Sequence, residues 1–120
     1  MIQKAYDALV KVDRPNASPE QIASEFKAKV EPTLYVSKRV GNIYTGSLYA
    51  SLLSLLYRTP NISNKSVTLF SYGSGLCATL MQARIIENPL SHQQITDINV
   101  VFNSRIRVEA EDYSKLMKAK

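Results

Sequence analysis

The chain has 120 residues, 45% hydrophobic and 21% charged, and its 15 Lys and Arg against 10 Asp and Glu give a formal charge of +5. That length suits one modest domain and leaves no room for two, and no apolar run reaches the ~18 residues needed to span a bilayer. Cys77 is the sole cysteine, which excludes an internal disulfide, and neither it nor His92 has companions at metal-ligand spacing, so a zinc site is not expected and a reducing compartment is.

Ile2, Ala5, Tyr6, Leu9 and Val10 recur at helical spacing and predict an amphipathic helix over 2–11. The same segment, "IQKAYDALVKVDR", lacks the apolar core and small-residue cleavage site of a secretory signal, so a cytoplasmic location is expected. The helix stops before "DRPNASPEQ", which ends in a helix start: Ser18 as N-cap, Pro19 at the first position and Gln21 completing S-x-x-Q. Residues 19–29 then form a short helix with Ile22, Ala23 and Phe26 inward. After Pro32, "TLYVSKRVG" has strand-like residues but poor alternation, and reads as a loop with extended pieces leading to Gly41.

From Tyr44, the spacing of Leu48, Leu52, Leu55 and Leu56 predicts a helix with one apolar face that ends by Pro60. Thr45, Gly46, Ser47, Ala50, Ser51 and Ser54 form another face, small enough for a second backbone to approach closely. "NISNK" is a polar turn joining helix to strand. "SVTLFSYGSG" and "LCATLMQARII" predict an antiparallel pair inside a covered sheet, with Cys77, Thr79, Met81, Ala83 and Ile85 on one side. The remainder, from Ser91 onward, reads as one or two surface helices, and no repeat or second domain interrupts the chain.

Two glycine-flanked polar residues stand out as chemistry. Asn42 follows Gly41 at a loop-to-helix junction, where its amide either caps the helix or points into a cleft and donates to an acyl oxygen; pattern alone favours the cap. Ser74 lies between Gly73 and Gly75, which suits both a tight hairpin turn and a close-approaching ligand. "GSG" is too short for a dinucleotide fingerprint. Cys77, in a strand of alternating apolar residues, reads as a small hydrophobe rather than a nucleophile. His92 reads as a solvated residue of a polar turn, and Glu31, Glu87, Glu109 and Glu111 show no pairing of a general acid with a base. The basic residues are scattered, with "SKRV" and "KLMKAK" the nearest to clusters, which is the pattern of a solvated surface more than of a nucleic-acid interface.

Together, "SKRVGNIYTGSLYASLLSLL" and "LFSYGSGLCATL" resemble the C-terminal part of hydroxymethylglutaryl-CoA synthases, in the thiolase-like superfamily. "MIQKAYDAL" is similar to the segment just after that family's catalytic histidine, "VEPTLYVSK" to the approach to its G-N motif, and "NSRIRVEAEDYSKLMK" to its helices beyond the sheet; residues 12–30 are the least family-like. The resemblance implies an α/β fold that is a portion of the layered α-β-α-β-α arrangement, so that 1–120 is a single incomplete domain with its strand pair near 66–86 packed by helices. It implies a condensation of acetyl-CoA with acetoacetyl-CoA to hydroxymethylglutaryl-CoA, with CoA thioesters as substrates, no cofactor, no nucleic acid or membrane partner, and a homodimeric full-length form, cytoplasmic or mitochondrial.

Residue by residue, Asn42 and Ser74 match the family's substrate-contacting asparagine and serine, and Lys4 matches a lysine that reaches the phosphates of CoA. Lys4 reads equally as an ordinary exposed lysine of an amphipathic helix. The family's catalytic cysteine, glutamate and histidine would lie upstream of Met1, so the isolated chain is expected to be inactive, and Cys77 does not replace the missing nucleophile. Two other readings stay open: a non-catalytic remnant or interaction module that retains the substrate-side half, and a small basic nucleic-acid-binding protein.

Overall fold

The structure is a computed structural model that describes residues 2–73, 75 and 77–118. It falls into two compact units, Met1–Leu90 and Ser91–Lys120. Among the described residues, no helix is long and apolar enough to cross a membrane.

The first unit opens with α1 (Ile2–Asp13) and α2 (Pro19–Lys29). The expected cap of α2 forms as a full box: Ser18 Oγ accepts from the Gln21 N–H at 3.2 Å, and Gln21 Oε1 accepts from the Ser18 N–H at 3.1 Å. Two of the donors a helix start leaves unpaired are thereby satisfied. Of the residues expected inward, Ile22 is buried and Phe26 half-buried, whereas Ala23 is exposed. Phe26 packs edge-on against Tyr6 of α1 with centroids 5.7 Å apart, joining the two helices.

Beside that contact, Arg14 grips the Glu25 carboxylate with two hydrogen bonds of 2.8 Å, and Lys29 Nζ adds a third at 3.3 Å. These donors, Arg14 first, hold the Glu25 carboxyl down at about 2 against an ordinary 4.5. A depressed acid pKa means the unfolded chain binds the proton more readily. The contribution is therefore present above about 4.5 and is lost as pH falls toward 2. Melting temperature should drop through that window more steeply for the natural chain than for Glu25→Gln, and parallel profiles for the two would show the cluster contributes nothing.

Residues 33–40 depart from the expected loop with extended pieces. Glu31–Leu34 is a 3-10 turn and Ser37–Val40 a short helix, α3. The reason is tertiary: Tyr35 stacks on Tyr57 at 4.9 Å, and the Val36 N–H donates to Ser54 Oγ at 2.9 Å. Both partners lie on α4 (Gly46–Arg58), so a segment of strand-like residues is wound against a helix instead of pairing with a strand.

The small-residue face of α4 supplies its most buried positions, Ala50 and Ser54, alongside Leu56 from the apolar face. Val10, Ile22, Val36 and Ile62 complete the buried apolar set. Asn88 Nδ2 donates to the Leu56 carbonyl at 2.8 Å, satisfying one of the acceptors left open in the last helical turn. In the turn after α4, Asn64 takes a left-handed φ of 60°, a conformation asparagine tolerates.

The two strands, β1 (Lys65–Gly73) and β2 (Cys77–Ile85), pair antiparallel with Lys65 opposite Ile85 and Gly73 opposite Cys77. Val67, Leu69 and Ser71 are half-buried on one face, which the register shares with Ala83, Met81 and Thr79. The covering expected of this sheet is incomplete. Phe70, Tyr72 and Leu80 on the other face are 60%, 65% and 70% exposed, because a two-stranded ribbon met by one helix can bury only one side. Cys77 is exposed too, so it is not the packed small hydrophobe expected.

The second unit holds α5 (His92–Asn103) and α6 (Ala110–Lys118). His92 lies not in a polar turn but at the first position of α5, whose N-cap Ser91 forms a second reciprocal box with Gln94.

Candidate functional site

Asn42 owes its position to a change of direction. Gly41 ends α3 with φ +77°, a region open to glycine at little cost, and its N–H closes the helix onto the Ser37 carbonyl at 3.0 Å. Asn42 Oδ1 then accepts from the Tyr44 N–H at 2.9 Å and from Ser47 Oγ at 3.3 Å, while Ser47 Oγ accepts from the Ile43 N–H at 3.2 Å. A backbone N–H only donates, so the oxygen end of the amide must face inward and the Nδ2 end outward. Among the described residues nothing accepts from that Nδ2. Asn42 is not the helix cap that the pattern favoured: the N-cap of α4 is Thr45, with no side-chain cap bond, and Asn42 Oδ1 instead organises the turn before the helix while its nitrogen is left to donate.

Tyr44 and Ser47, the partners of Asn42, line a groove of about 510 Å3. Leu48, Ser51 and Leu52 of α4 form one wall, and Ser71 and Tyr72 at the end of β1 belong to the other. The helix start and the strand end, far apart in sequence, therefore share one concavity. Tyr44 carries a φ of 55° and is 87% exposed, a backbone conformation uncommon for a bulky residue. Sequence reasoning missed Tyr44, Ser47 and Tyr72 as site residues. The strain at Tyr44 has no sequence signal, whereas Tyr72 sits inside the quoted S-Y-G-S-G.

Ser74 lies outside the described residues; Ser71, Tyr72 and Gly73 lead up to it along β1. Lys4 is exposed on α1 and does not line the groove, although Ile2 of the same helix does. No Cys, His, Asp or Glu is among the described residues lining the groove. Glu31 is paired with Lys38 at 3.5 Å and Glu109 with Arg107 at 3.6 Å, and no cluster of His, Cys, Asp and Glu among the described residues could hold a metal ion. Asn42 itself does not line the groove, although its partners Tyr44 and Ser47 do. The groove thus offers hydroxyls and apolar walls. It can orient a carbonyl compound and donate to its oxygen, but it brings no nucleophilic cysteine and no carboxylate or histidine base of its own.

A family profile described as "Hydroxymethylglutaryl-coenzyme A synthase C terminal" matches residues 3–120. Hydroxymethylglutaryl-CoA synthase A of Dictyostelium discoideum is 35% identical over 117 residues, which cover 96% of this chain and 22% of that protein. Among solved structures, the HMG synthase of the curacin biosynthetic pathway superposes with a TM-score of 0.80 over 98% of this chain and 29% of its own, at 23% identity. MvaS in complex with 3-hydroxy-3-methylglutaryl coenzyme A superposes with a TM-score of 0.70 over 98% of this chain and 31% of its own, at 30% identity. The chain spans about a quarter of the length of the curated relatives it matches.

Proposed function

The chain belongs to the hydroxymethylglutaryl-CoA synthase family, and from that premise we propose that it forms the substrate-side wall of a site that condenses acetyl-CoA with acetoacetyl-CoA. Its fold is the corresponding portion of the thiolase-like layered fold. The observation that carries the reading is a groove lined by the hydroxyls of Tyr44, Ser47, Ser51 and Ser71, with Asn42 bonded to two of its lining residues and no nucleophilic cysteine or carboxylate or histidine base among the described lining.

In this reading Asn42 Nδ2 donates to the thioester oxygen, where charge develops as carbon–carbon bond formation proceeds. Tyr44 and Ser47 hold the amide in that orientation. Ser74 contacts the acetoacetyl group, and Lys4 meets the CoA phosphates. The acylated cysteine, the base that removes the methyl proton and the histidine come from the parts of the fold that this chain does not span. A homodimeric, cytoplasmic parent enzyme is part of the same proposal and rests on the family resemblance alone. CoA is favoured over an acyl carrier protein because the relative solved with a CoA ester is 30% identical, whereas the curacin-pathway synthase solved in complex with holo donor-ACP is 23% identical.

The expected result is that the 120-residue chain alone releases no CoA from acetyl-CoA and acetoacetyl-CoA, with or without Cys77→Ala. Turnover that disappears on Cys77→Ala would overturn the assignment of the chain as a substrate-side portion.

A further inference from the structure

On another face of the first unit, Lys27 of α2, Lys38 and Arg39 of α3 and Arg58 at the end of α4 surround a pocket of about 410 Å3 together with Glu31 and Tyr35. Four cations share the concavity with one carboxylate, and that carboxylate is already met by Lys38 Nζ at 3.5 Å. Among the described residues, no carboxylate lies within ion-pair distance of Lys27 or Arg58. Gathering like charges in a concave site concentrates a positive potential that a dispersed surface would avoid, and a bound anion relieves it.

The two arginines are also held in place. Tyr35 is the hub: Tyr57 stacks beside it, the Arg39 guanidinium lies 3.7 Å from its ring centroid and that of Arg58 5.4 Å. Arg39 Nη1 is further fixed by donating to the Tyr35 carbonyl at 3.1 Å. Stacking engages the face of a guanidinium and leaves in-plane N–H groups directed from its edge, the geometry in which arginine grips a phosphate. Side chains ordered before binding lose less entropy on binding. None of the residues lining this pocket lines the groove beside Asn42.

We propose that this pocket binds a small phosphate-bearing anion at a site separate from the thioester groove, with Arg58 and Lys27 as its principal ligands and Arg39 as a stacked support. The volume accommodates a pyrophosphate or a compact phosphate ester, and the four cations are gathered around one concavity.

Titration calorimetry of the full 120-residue chain with sodium pyrophosphate tests this. One saturable site is expected, weakening as salt rises, with affinity reduced about tenfold or more by Arg58→Gln and less by Arg58→Lys, as removal of one charged hydrogen-bond donor implies. Lys27→Gln, an exposed substitution on α2, should show a comparable loss and stands in should Arg58→Gln fail to fold. Lys118→Gln, in the second unit, should change nothing. Tighter binding of ADP than of pyrophosphate would identify a nucleotide as the ligand class, and equal binding a simple phosphate. Heats that never saturate, or an equal loss with Lys118→Gln, would reduce the effect to general surface charge and overturn the proposal. Displacement of pyrophosphate by CoA in a manner that depends on Arg58 would overturn its separateness from the substrate site, while leaving the reading of Asn42 intact.

Discussion

Asn42→Ala, in an enzyme that contains this chain, is expected to lower kcat by roughly a hundredfold or more, the usual consequence of removing one oxyanion donor. Alanine removes both ends of the amide, so the same change should also cost about 1 kcal/mol of stability through loss of the turn held by Asn42 Oδ1. Asn42→Asp separates the two effects. Aspartate retains an oxygen to accept from the Tyr44 N–H and Ser47 Oγ, and so keeps the turn, but it has no N–H to donate to a thioester oxygen. Near-normal melting with severely reduced kcat for Asn42→Asp is the expected pair of results. If turnover instead follows melting temperature across the two variants, the asparagine holds the turn and does nothing more. Ser47→Ala, which removes one of the two bonds to Oδ1, should fall between the natural enzyme and Asn42→Ala in kcat.

The parts of this fold that were legible in the sequence are those whose causes are local. The box at Ser18 and Gln21, the apolar spacing of α1 and α4 and the β-branched run of β1 each carry their own instruction, and each element forms where expected. Residues 33–40 misled because their instruction is remote: Tyr35 and Val36 are wound against α4 by Tyr57 and Ser54. At Ser91 the signal was present and local, the same S-x-x-Q spacing as at Ser18, but a neighbouring proline and histidine read as a turn. The site divides in the same way. Asn42 and its motif were legible, while the direction of its amide depends on Ser47 and on a left-handed Tyr44 that no periodicity announces.

Ser54 shows how a residue read only as small carries an energetic role. It is completely buried, and its Oγ both donates to the Ala50 carbonyl at 2.6 Å and accepts from the Val36 N–H at 2.9 Å. The first bond is within one helix and dispensable, since Ala50 O is already placed to accept in the helical ladder. The second is the acceptor that water cannot replace at a fully buried position. Ser54→Ala should therefore cost about 1–3 kcal/mol, the penalty of stranding a buried donor, and lower the melting temperature by about 4–8 °C for each of those kcal/mol. Ser51→Ala, one turn away and half-buried, should be nearly neutral and serves as the control. Amide exchange at Val36 should quicken in Ser54→Ala beyond the change seen in α1, because the bond tethers residues 35–40 to α4 and those residues lead directly into Gly41 and Asn42. A melting temperature unchanged by Ser54→Ala, with Val36 exchange also unchanged, would mean that the stacked pair Tyr35 and Tyr57 holds the segment alone, and that the placement of Asn42 does not pass through Ser54.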